Sequence, residues 1–187
     1  MWFWQRWQRE RDRARRAERF VRELQREPEA GTVQWLARHG AHGDVDHARW
    51  ELRYARRALG LIAAERDALD DGTASLVSAA LASSLREDPA IPAPSLERVE
   101  RQLSARVRSY SEALATRRAG VAVTSQLGTA LLAFAGTGTE AYGAAVDGAA
   151  EIMRRYLDEA NAALVHCFGA AELPDDAAPL APARPTH

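Results

Sequence analysis

Cysteine is nearly absent: one residue, Cys167, stands in a chain of 187. That excludes an internal disulfide framework and any cysteine-rich zinc site. Lysine is missing altogether, and all 25 basic residues are arginine. With alanine also abundant, this reads as the codon usage of a GC-rich genome and carries no mechanism. No excess of either charge exists, the formal net charge being −1, which excludes a globally basic nucleic-acid binder. There is no Gly-x-Ser-x-Gly, no phosphate-cradling glycine loop and no His-Glu-x-x-His. The expectation is therefore a protein that is not an enzyme and holds no cofactor. Alternating strand patterns and fixed-period repeats are also lacking, which leaves an all-α chain. Finally, the start MWFWQRWQRERDRARRAERF has no apolar core of the kind an export signal needs. A cytoplasmic location is expected on that ground.

What is present is a globular composition, 47% hydrophobic and 27% charged. The length suits one ordinary domain with its own core, plus an appendage. The near-neutral total hides an asymmetry. Residues 1–66 carry 15 arginines and 10 acids, a net +5, and residues 67–187 carry 10 and 16, a net −6. A basic end of this kind suits an anionic surface or an acidic partner.

Helical spacing dominates the chain. Residues 2–27 read as one helix stopped by Pro28, its seam formed by Phe3, Trp7, Ala14, Ala17, Val21 and Leu24. Arg9, Arg11, Arg15, Arg16, Arg19 and Arg22 lie opposite. A short helix or turn is predicted over Thr32–Arg38. A long helix then runs from an Asp44 or Asp46 cap to about Leu69, ended by Asp71-Gly72. Two apolar stripes on it, one with Ala48, Leu52, Ala55 and Leu59, the other with Trp50 and Tyr54, mark a central helix. A further helix spans Thr73 to about Arg86. The prolines of segment 87–95 mark a linker, after which Ser95 caps a helix that continues past Gly120 towards Ala135. Thr137 to Glu140 has capping-box spacing and opens a last helix that runs to Gly169. The expected architecture is an antiparallel bundle of four to five helices over 28–169. A protruding amphipathic helix over 1–27 precedes it, and an extended or disordered tail over 170–187 follows.

The strongest functional signal is the N-terminus, where Trp2, Phe3, Trp4 and Trp7 are followed by nine arginines before position 27. Tryptophan suits a membrane interface because its ring is apolar while its N–H still reaches water or headgroup oxygens. Neighbouring arginines such as Arg6, Arg9 and Arg13 can meet anionic lipid phosphates. A helix–helix seam with a protein partner, or a core patch, are the other uses of the same aromatics. Nucleic acid fits poorly, because Glu10, Asp12, Glu18 and Glu23 are interleaved among the arginines.

Other candidates are weaker. Residues 119–139 form a stretch of 21 without charge, long enough for a bilayer, yet rich in Gly, Ser and Thr and better read as a packed helix. Asp44, His47 and Glu51 share a helix face, but more naturally as a cap and surface groups than as metal ligands. Cys167 lies on an apolar stripe, where a buried free thiol is the usual outcome. The reading is a non-catalytic helical scaffold held at the cytoplasmic membrane face. Its expected partner is an integral membrane complex, with Trp2, Phe3, Trp4, Trp7, Arg6, Arg9 and Arg13 making contact with partner or lipid. Two alternatives accompany it: a soluble enzyme or ligand-binding bundle with a pocket lined by Trp50, Tyr54, Tyr110 and Tyr142, and a coiled-coil oligomer joined along Phe3–Leu24.

Overall fold

The structure is a computed structural model that describes residues 2–67, 71–116, 122–137 and 143–169. Among them the elements are all helical: α1 (Trp2–Leu24), α2 (Ala30–His39), α3 (Val45–Asp67), α4 (Asp71–Glu87), α5 (Leu96–Ala115), α6 (Val123–Ala135) and α7 (Ala144–Phe168), with a 3₁₀ turn at Ala93–Ser95 before α5.

The apolar stripes explain the packing. α3 touches all six other α-helices, which follows from its apolar residues covering much of its circumference. Ala48, Leu52, Ala55, Ala58, Leu59 and Ala63 are completely buried along it. α7 packs on α6, α3 and α1, and α1 packs chiefly on α4. The α6–α7 contact is close because Gly128 lacks a Cβ: one built there would lie 2.6 Å from the Ala150 nitrogen and 2.8 Å from the Val146 oxygen. The α2–α7 contact depends in part on ions, with Arg155 donating to the Thr32 hydroxyl at 2.9 Å and to Glu29 at 3.2 Å.

Several boundaries differ from the sequence expectation, each for a local reason. α1 ends at Leu24, and a hydrogen-bonded turn over Gln25 and Arg26 leads to the buried Pro28. Asp44 is the α3 cap, accepting from the His47 N–H at 2.9 Å, while Asp46 instead pairs with Arg49. Asp71 and Gly72 open α4 rather than end α3. Ser95 occupies the N-cap position of α5 as expected, but its side chain makes no cap hydrogen bond; its hydroxyl accepts from Arg98 instead. Nor does α5 continue to Ala135. It stops at Ala115, Thr116 is extended, and α6 starts afresh at Val123. Gly136, at φ 114°, closes α6 in the left-handed conformation that glycine adopts without strain. The last helix opens at Ala144, after Gly143, and not at Thr137. The Thr137 hydroxyl donates instead to the Gly40 carbonyl at 2.9 Å, tying the end of α6 to the end of α2. Glu140, Tyr142, Leu69 and the 170–187 tail lie outside the described residues.

Candidate functional site

Two regions follow from the sequence reading: the first half of α1 and the aromatic cleft beside α3. On α1, burial divides the helix in two. From Ala17 on, the seam is in the core: Ala17, Phe20, Val21 and Leu24 are buried, with Phe20 edge-on to Phe168 at 6.4 Å. Phe20 is absent from the three- and four-residue stripe read in the sequence. It lies beside Val21 and widens the buried face towards α7. Before Ala14 the picture reverses, and residues 7–13 are all exposed, Arg9 and Arg13 among them. Trp7 is 49% exposed, and the Arg11 guanidinium lies 4.5 Å from its ring centroid. This is a cation–π contact between residues one turn apart. Trp2, Phe3, Trp4 and Arg6 belong to the same helix, but their side chains lie outside the described residues.

Beside α3, Trp50 and Tyr54 do line a cleft, of about 480 Å³, whose other walls are α5 and the proline segment at Ile91 and Pro92. Tyr110 is not part of it. That ring is completely buried behind the cleft, edge-on to Phe134 at 5.9 Å. Burial pushes its hydroxyl pKa far above the ordinary tyrosine value, with the nearby Glu51 charge adding to the rise.

The chemistry of this cleft is set by a buried ion pair that spacing alone did not reveal. Glu51 on α3 accepts two bonds from Arg106 on α5, at 3.0 Å from Nε and 2.5 Å from Nη2. The side chains are only 2% and 8% exposed. Arg106 also donates to the Gln102 carbonyl at 3.0 Å, and its guanidinium lies between the rings of Tyr54, at 4.8 Å, and Phe134, at 4.3 Å. Tyr54 completes the network by donating to Gln102 Oε1 at 2.8 Å. Three of the five guanidinium N–H groups and both carboxylate oxygens are thus engaged within the protein, which offsets the cost of burying the pair. The sequence signal for it was an acidic residue on the apolar circumference of a central helix, which demands a partner of opposite charge.

That pairing also removes Glu51 from the Asp44, His47, Glu51 constellation. Asp44 is engaged as a cap, and His47 Nε2 lies 3.3 Å from the Phe134 carbonyl. Among the described residues no group of three or more His, Cys, Asp or Glu side chains is placed to hold a metal ion. Cys167 is buried, and that burial pushes its thiol pKa up, away from a reactive thiolate. Within the uncharged stretch 119–139, α6 is a 13-residue helix with Leu127, Leu131 and Leu132 turned into the core. Among the described residues no helix is long and apolar enough to cross a membrane.

No family model, no curated protein and no solved structure matches this chain.

Proposed function

We propose that this protein is a non-catalytic helical interaction subunit, held at the cytoplasmic face of a membrane as an extrinsic component of an integral membrane complex. In this reading the helices form an antiparallel bundle, and the first half of α1 protrudes from it as the contact element. The observation that carries the proposal is the division of α1. Its second half is buried through Ala17, Phe20, Val21 and Leu24, while residues 7–13 are exposed on every side and hold Trp7, Arg9, Arg11 and Arg13. A helix anchored at one end and presenting tryptophan and arginine at the other suits a lipid interface or the flank of a membrane protein. In a partner pocket, tryptophan and arginine are also the residue types that contribute most to binding. The network around Glu51 and Arg106, closed within the protein, supports a scaffold rather than a reaction centre.

The test is fractionation of the native protein followed by a pull-down in mild detergent, with full-length chain and with residues 1–8 removed. The full chain is expected to sediment with membranes and to co-purify with integral proteins, and the deletion to release it. Full-length protein that stays soluble and monodisperse would overturn the proposal. Concentration-dependent self-association abolished by the deletion, without membrane attachment, would replace it with the coiled-coil reading.

A further inference from the structure

α7 runs antiparallel to α1, and its end points at the exposed residues 7–13 of that helix. Phe168, in the last turn of α7, meets Phe20 edge-on at 6.4 Å. Further along α1, Leu24 and Arg26 share a cleft with Tyr156, Ala160 and Ala163, which come earlier in α7. The chain therefore leaves α7 near the level of Phe20, heading towards the start of α1.

What lies ahead of it is basic. At about 100° per residue, Arg16, Arg13 and Arg9 fall within about 40° of Phe20, so they continue the face that α7 meets at Phe20. All three are exposed, as is Arg19 beside Phe20. Arg16 and Arg19 are engaged in no ion pair among the described residues. Arg19 is close enough to Cys167 of α7 for its charge to act on the thiol. Residues 9–19 hold six arginines against Glu10, Asp12 and Glu18, an excess of three positive charges.

The residues that follow α7 supply the complement. Segment 170–176 carries Glu172, Asp175 and Asp176 and no basic residue, an excess of three negative charges. Its reach is sufficient. Extended chain covers about 3.3–3.6 Å per residue, so Asp176 can lie about 25 Å from Gly169, whereas Arg9 precedes Phe20 by about 16 Å of helix. A single exposed ion pair contributes little. The tether lets several act together, because the acids stay within reach of the arginines at any dilution.

We propose that segment 170–176 lies along α1, its carboxylates pairing with Arg16 and Arg19, and so covers the basic face that α1 would otherwise present to an anionic surface or an acidic partner. The contact is intramolecular and is read on the isolated protein, so it stands or falls independently of membrane attachment.

Backbone ¹⁵N relaxation of the full-length protein at low salt is the test. Residues 172–176 are expected to show order parameters above about 0.6, the upper bound for flexible backbone, and to fall below it at high salt. The exposed double substitution Arg16→Glu with Arg19→Glu should release the segment at low salt. Adding Glu172→Arg, Asp175→Arg and Asp176→Arg to that variant exchanges the charges and should restore the order, which a folding defect in α1 would not allow. Flexible residues 172–176 in the unmodified protein, order that survives the arginine substitutions, or no recovery on charge exchange would each overturn the proposal. Order that rises with protein concentration would also overturn it, by assigning the segment to the α1 of a second copy.

Discussion

Charged side chains in the interior of this protein are bound to specific partners, and the Glu51–Arg106 pair is the most deeply buried of them. Its energetics turn on desolvation. Each charge lost its water on folding, and the pair recovers that cost only because two direct bonds, the Gln102 carbonyl and two aromatic faces surround it. Removing one member leaves the other uncompensated. Glu51→Ala is expected to lower stability by about 3–5 kcal/mol, read from urea unfolding. Replacing both members together with leucine and methionine should recover most of that loss, because no charge is then stranded. If the double replacement is as destabilised as the single, the pair contributes more than mutual compensation.

At the level of elements, the helices differ in how closely they approach, and glycines report it. At Gly128 the obstacle to a side chain is the backbone of α7, which cannot step aside without moving the helix. Gly128→Ala should therefore cost about 1–3 kcal/mol by overpacking. Gly31, in the first turn of α2, has nothing within 4 Å of the position a Cβ would take. Gly31→Ala should stabilise by roughly 0.4–1 kcal/mol, through the reduced freedom of the unfolded chain. Thermal midpoints of the two variants moving in opposite directions would bear out the α6–α7 contact, and equal midpoints would contradict it. α1 is divided within a single element. Its seam is interrupted in sequence only at Glu10, and among the described side chains its buried members are Ala17, Val21 and Leu24, on a helix that packs chiefly on α4 and also on α7.

Over the whole molecule, alkaline pH is the condition that tests the core most broadly. Burial raises the pKa of Tyr54, Tyr110 and Tyr156 above the ordinary value of 10.0, and it is the largest cause for all three. The folded state then holds protons that the unfolded chain releases near that value. This contribution is complete below it and is lost as pH rises through the raised values. Stability should fall progressively above about pH 10, measured by thermal melts across a pH series. Tyr110→Phe should flatten that fall, and since the Tyr110 hydroxyl has no partner, the substitution should cost little at neutral pH. A melt independent of pH across that range would mean that the three rings are reached by solvent.

The sequence by itself determined that the chain is helical and which residues turn inward. The stripe through Ala48, Leu52, Ala55 and Leu59 is buried as its spacing requires, and so are Ala17, Val21 and Leu24 of the α1 seam. Spacing of this kind is a local property, settled by 3.6 residues per turn. Helix ends proved less legible. Thr137, Ser95 and Gly72 have the chemistry of caps, but each is used differently once a neighbour competes for its hydrogen bonds or the next helix claims its backbone. Tertiary structure alone decided that Glu51 meets Arg106, 55 residues away, and that Arg56 lies over Tyr156. It also decided that, among the described seam residues, Trp7 is exposed while Ala17, Val21 and Leu24 are buried. These are encounters between helices, and the physical reason they were hidden is that periodicity states which face a residue occupies but not which helix comes to lie against it.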